Sequence, residues 1–156
     1  MEYRAKFKSV IISTTIGIVY LIFGLLKFFP NLSPAEELAT NTIQILTLGI
    51  LPSHIGLIAL AVFEAFIGMS LLLNIKSKLI IYLAIAHIIM TFTPIFLLPE
   101  QIFGKNEFTI TLLSQYIFKN IIIIGALYTL KMEVDLSEKK VNKRKKVFFN
   151  LVSVKI

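Results

Sequence analysis

IGLIALAVFEAFIGMSLLL, residues 55–73, decides the fold of this chain. It is apolar over about the 20 residues that a helix needs to cross a bilayer. One carboxylate, Glu64, stands near its middle. An ionisable group at that depth is costly, faces the interior of a bundle, and has a partner elsewhere in the chain. Reading outward from Glu64 is therefore a search for the helices that shield it and for the cation that pairs with it.

Three more runs have similar length and character, at residues 10–29, 79–98 and 110–130. Together with the first they predict an all-α protein, a bundle of four transmembrane helices. On the first run Ser13, Gly17, Tyr20, Gly24 and Lys27 recur every three or four residues and so share one helix face. Small residues on that face allow a neighbouring helix to approach closely. The third run carries His87, with Ala84, Thr91 and Pro94 on the same side, and Pro94 is expected to kink it. The fourth carries Gln115 and Lys119, four residues apart.

Between the first and second crossings, Ser33-Pro34-Ala35-Glu36 reads as a capping box opening a helix over residues 34–48. That helix is too polar to span and amphipathic enough to lie at the membrane interface. Residues 100–109, with Gly104, Lys105 and Asn106, read as a loop. The chain thus divides into a basic amino-terminal segment (1–9), a four-helix membrane domain (10–130) and a basic tail (131–156).

Composition agrees. The sequence is 56% apolar and 16% charged, where soluble domains average about 45–50% apolar. The net charge of +7 does not form one patch: 13 of the 16 Lys and Arg fall at residues 4–8, 76–78 and 131–155. That is the positive-inside pattern, and it places both termini and the Lys76–Lys78 turn in the cytoplasm. No nucleic-acid recognition motif accompanies the charge, so a nucleic-acid partner is not expected. The first apolar run is too long for a cleavable signal peptide and has no cleavage site after it, so it is expected to remain as an anchor. In the tail, basic residues beside Val147-Phe148-Phe149 suit contact with an anionic leaflet, or simply fix the topology.

Counting 1.5 Å per residue from the outer end of each run puts Glu64 and Lys119 both roughly 14 Å deep and His87 roughly 16 Å deep. Lys27 comes out only about 4–5 Å below the outer boundary. The expectation is a buried Glu64–Lys119 ion pair, with His87 and Gln115 completing its hydrogen bonds and Lys27 reaching to the headgroups. Such a pair either fixes helix register or supports proton transfer. Bis-His haem is not expected, because His54 and His87 lie at different depths. Cysteine is absent, which excludes disulfides and thiolate-held metal centres. No clustered metal ligands, phosphate-binding glycine motif or Ser–His–Asp set is present either.

The stretches IGIVYLIFGLLKFFP (16–30), LSPAEELA (32–39), FEAFIGMSLLL (63–73) and QYIFKNIIIIGALY (115–128) stand in an order and spacing that resemble the DoxX-like family of small four-helix bacterial membrane proteins. Ser13 occupies a position where many such proteins carry Arg. The resemblance implies a bundle in the bacterial cytoplasmic membrane, and it carries over Lys27, Glu64 and Lys119 by position. Some members are subunits of a quinone-reducing oxidoreductase. On that reading Glu64, Lys119 and His87 are the candidate catalytic groups, Lys27 and Gln115 the candidate contacts to a quinone, and a redox protein the partner. Two other readings stand beside it: a non-catalytic membrane scaffold or assembly partner, and a carrier of protons or small solutes.

Overall fold

The computed structural model describes residues 2–103 and 111–153, with side chains over 7–103 and 111–146. The expected loop around Gly104, Lys105 and Asn106 and the Phe148-Phe149 patch lie outside those residues or side chains. Among the described residues the regular elements are all helices: α1 (Glu2–Leu26), α2 (Glu36–Leu46), α3 (Ser53–Leu72), α4 (Lys78–Met90), α5 (Pro94–Leu97), α6 (Pro99–Phe103) and α7 (Leu112–Ser153). Three stretches are long and apolar enough to cross a membrane: Phe7–Leu26, Ser53–Leu72 and Lys78–Leu97. Only 33%, 44% and 28% of them is buried inside the protein. Their outer faces present Ile18, Ile22, Val62, Phe66, Tyr82 and Ile89 to the surroundings. Apolar surface on that scale marks contact with a membrane or with another protein.

The tightest packing is between α1 and α3, which run antiparallel. A β-carbon on Gly68 would stand 2.6 Å from the backbone nitrogen of Leu21, and one on Gly17 would stand 2.9 Å from the Gly68 carbonyl oxygen. One on Gly24 would stand 2.8 Å from the Ala65 nitrogen. These backbones touch, so glycine is required by the contact itself. Ser13 donates to the Leu71 carbonyl at 2.8 Å at one end of the seam. The small-residue face of the first helix is therefore used inside the protein.

Four helices share one core. Ile16 and Tyr20 of α1, Ile67 and Leu71 of α3, Ile81 and Ala84 of α4, and Leu127 and Leu130 of α7 form a single buried cluster. A second cluster, Leu38 of α2, Ile102 of α6 and Ile117 of α7, closes one end. Ser33 does not cap α2, contrary to the expected capping box: Ala35 holds that position, and the Ser33 hydroxyl is buried without a partner. The Glu36 carboxylate instead accepts from the Asn31 backbone nitrogen at 2.8 Å. The kink expected at Pro94 appears as a full interruption. Helix α4 ends at Met90, residues 91–93 turn, and Pro94 starts α5, where its missing N–H costs nothing. Pro99 likewise starts α6 as α5 ends.

Helix α7 differs most from expectation. Its 42 residues form one helix, so the basic tail continues the fourth apolar run without a break. No Gly or Pro follows Gly125, and nothing in the sequence stops the helix there.

Candidate functional site

Glu64 lies on the α3 face turned toward α1 and α4, and its carboxylate is held from both sides. Oε2 is 2.6 Å from Lys27 Nζ, and Oε1 is 3.3 Å from His87 Nε2. Lys27 Nζ also donates to the Phe23 carbonyl at 3.3 Å. His87 Nδ1 lies 3.2 Å from the Tyr20 hydroxyl, which is 3.0 Å from the Ala84 carbonyl oxygen. The rings of Tyr20 and Phe63 pack against the imidazole at 5.5 and 5.7 Å. The Lys27, Glu64 and His87 side chains are 8%, 8% and 10% exposed. The result is one polar chain, Lys27–Glu64–His87–Tyr20, crossing three helices inside an apolar shell.

Glu64 thus has the buried cation partner and the histidine that its depth demanded, but the cation is Lys27 and not Lys119. Lys27 was expected to reach outward to the headgroups. Depth counted from each helix's own end misplaced it, because the helix ends are staggered: Gly24 lies level with Ala61 and Ala65, so α3 continues well past the end of α1. Helical side chains also lean toward their own amino terminus, so in antiparallel helices Lys27 and Glu64 lean toward each other.

Lys119 faces outward, 5.4 Å from the Tyr116 ring centroid, and Gln115 is exposed as well. The inward face of α7 carries Ser114, Ile117, Leu127 and Leu130 instead. Lys119 is two residues from Ile117, which places it on another side of the helix. On the inward side Asn120 donates to the Thr91 hydroxyl at 2.8 Å, bridging α7 to the break after α4. Ser114 bonds the Ile102 carbonyl, and Thr111 donates to the same carbonyl at 2.8 Å. Asn120 is masked in the sequence by the more strongly polar Lys119 beside it. The signal that finds it is the spacing of Ser114, Ile117, Asn120 and Leu127.

The hydrogens of the chain can be counted from its acceptors. The Tyr20 hydroxyl has one proton and two acceptors in reach, Ala84 O and His87 Nδ1. When it donates to Nδ1, the imidazole is neutral and its Nε2–H points to Glu64. When it donates to Ala84 O, the short Nδ1 contact needs a ring proton, and with Nε2–H on Glu64 the ring is an imidazolium. Rotation of one hydroxyl therefore satisfies both protonation states of His87 with no heavy atom moving. Such a site can hold or release one proton while staying packed.

Among the described residues no group of three or more His, Cys, Asp or Glu side chains is placed to hold a metal ion. Compared with known proteins, the chain matches no family model, no curated protein and no solved structure. Fold and site together define a protein that is helical throughout its regular elements among the described residues, with three stretches apolar enough to cross a membrane and a charged polar chain buried between the helices.

Proposed function

We propose that this chain is a DoxX-like, quinone-linked membrane subunit of an oxidoreductase, seated in the bacterial cytoplasmic membrane with four crossings and both termini inside. The fourth crossing is the first half of α7, residues 112–130, which shares the common core and exposes Phe118, Ile121 and Ile122 outward. The orientation rests on the basic residues gathered at the end of the bundle that bears the termini. The short amphipathic helix α2 lies at the opposite interface, where Ile45 and Leu46 are exposed apolar contacts.

The observation that carries the functional reading is the proton-adjustable chain Lys27–Glu64–His87–Tyr20. A quinone would supply two-electron redox chemistry coupled to protons, and its electrons would come through a partner protein. The residues fit such a molecule at Lys27: an ammonium has three donors, and two of them go to Glu64 and Phe23. The third is the donor for a carbonyl oxygen. His87 holds the exchangeable proton, Tyr20 keeps both ring states satisfied, and Glu64 fixes Lys27 and His87 relative to each other. The apolar shell keeps bulk water from competing for these bonds.

Purified protein in nanodiscs, titrated with a short-chain menaquinone or ubiquinone analogue, tests this. Saturable binding that weakens in Lys27→Met and in His87→Ala is expected. Absence of saturable binding for both analogues overturns the quinone reading. A second reading, a non-catalytic scaffold, is favoured by one specific observation: both carboxylate oxygens of Glu64 are occupied by this chain's own side chains. On that reading Glu64→Gln lowers stability and leaves the redox activity of any assembled complex unchanged.

A further inference from the structure

The continuous course of α7 has a consequence for the basic tail. At ~1.5 Å per residue, a straight helix carries Lys139 about 14 Å and Lys146 about 24 Å beyond Leu130. Lys131 marks the boundary, with its ammonium 5.4 Å from the ring centroid of Tyr82 and 5.6 Å from that of Tyr128. Just past it, Lys78 at the start of α4 bonds Asp135 at 3.0 Å and Glu138 at 2.6 Å. This double clamp fixes the direction in which the tail leaves the bundle, and it engages two of the tail's acidic groups. The eight residues that follow, 139–146, carry six cations and no acid, and all are exposed. The surface field of a leaflet decays over a Debye length of about 8 Å, so most of these charges stand beyond it.

We infer that residues 132–146 form an upright docking post for a water-soluble protein whose surface is acidic with an apolar centre. At 100° per residue, Met132, Leu136, Lys139, Lys143 and Lys146 lie within about 80° of one another, opposite Leu127, Leu130 and Val134, which pack on the bundle. Met132 and Leu136 are 52% and 58% exposed. The stripe therefore begins apolar and ends cationic on the side turned away from the rest of the protein. Carboxylates would meet the lysines, and an apolar side chain would cover Leu136. A nucleic acid would use the lysines and leave Leu136 uncovered, which favours a protein.

The inference rests on the fourth crossing proposed above, and the test separates the two. The chain has no cysteine, so single labels are simple to place. In nanodiscs containing anionic lipid, a spin label at Ile122→Cys reports the crossing and one at Lys143→Cys reports the tail. A label at 122 that is reached by aqueous relaxant and not by oxygen removes the crossing itself. A label at 122 in lipid with the label at 143 buried among headgroups keeps the crossing and overturns the post. With both as expected, an amphipathic helical peptide bearing Glu and Leu on one face is titrated in neutral-lipid nanodiscs at physiological salt. Saturable binding is expected, weakened at least about tenfold by the triple variant Lys139→Gln, Lys143→Gln, Lys146→Gln, and again by Leu136→Ser. No saturable binding, or equal binding of a 20-nucleotide DNA that ignores Leu136→Ser, overturns the proposal.

Discussion

Lys27 and Glu64 meet at 2.6 Å across the seam between α1 and α3, the same seam on which Gly17, Gly24 and Gly68 bring the two backbones into contact. The ion pair and the glycines depend on each other. Without the close approach the lysine would not be drawn inside, and without the lysine the α3 carboxylate would be left with His87 alone as a possible cation.

Removing either partner of that pair leaves an uncompensated charge in an apolar setting. Lys27→Met or Glu64→Leu alone is expected to destabilise the folded bundle by about 3–5 kcal/mol, whereas the double variant lies close to wild type. Reversible unfolding in mixed micelles measures both. Equal losses in the single and double variants would show that the pair contributes no coupling. Lys119→Met, which removes an exposed cation, serves as the neutral control.

The glycine seam gives a second expectation. Gly68→Ala places a methyl group 2.6 Å from the Leu21 nitrogen, where backbone and not a flexible side chain must give way. Overpacking of that kind costs about 1–3 kcal/mol. Gly125, on α7, has nothing within 4 Å of its added β-carbon, so Gly125→Ala is tolerated or slightly stabilising through helix propensity. The contrast between these two chemically identical changes, read by the same unfolding assay, checks that the seam is a true backbone contact.

Much of this is legible in the sequence. The recurrence of Ser13, Gly17, Tyr20, Gly24 and Lys27 marks the inner face of α1, and Ser13, Tyr20 and Lys27 are all buried there. Glu64 announces a buried site by its depth in an apolar run. The choice of its partner was not legible, because hydropathy locates spans but does not fix their stagger. Lys27 sits near the end of its own helix and still lies level with the interior of α3. The face of α7 was hidden for a related reason. Lys119 and Gln115 are the most polar residues of that run, yet Phe118, Ile121 and Ile122 beside them also point outward. Polarity alone therefore did not mark the inside. The helical state of the tail is not marked by hydropathy, which falls after Leu130, although no Gly or Pro there breaks a helix.

The Tyr20 hydroxyl is the only group that lets Nδ1 of His87 act as acceptor in one state and donor in the other, among the contacts of the described residues. In Tyr20→Phe the ring keeps its Nε2 bond to Glu64 and loses that flexibility. Nδ1 then has no hydrogen-bond partner, and the doubly protonated ring has an unsatisfied donor in an apolar shell. The Nε2–H tautomer is expected to dominate in the variant, whereas in wild type the Tyr20 hydroxyl gives Nδ1 a partner in either hydrogen-bonding role. Imidazole nitrogen chemical shifts in labelled protein distinguish the two. Identical nitrogen shifts in the two proteins would remove Tyr20 from the proton chain.

The clamp on the tail predicts a pH dependence of opposite character, local and exposed. The Lys78 ammonium bonded to Asp135 holds that carboxyl below its ordinary range. A carboxyl whose folded-state value is depressed contributes stability above its unfolded value, near 3.9, and loses it as pH falls through the lower folded value. The first turns of the tail should therefore stay docked against α4 from neutral pH down to about 4 and loosen below it. Raised salt should loosen them at any pH, since the charges are exposed to solvent and screened. Lys78→Gln should produce the loosened state at neutral pH and low salt, with the buried core of the bundle unaffected. Hydrogen exchange of the amides of residues 131–140 reads all three conditions. Protection that ignores pH, salt and Lys78 alike would mean that Val134 packing on the bundle, and not the ion pairs, sets the direction of the tail.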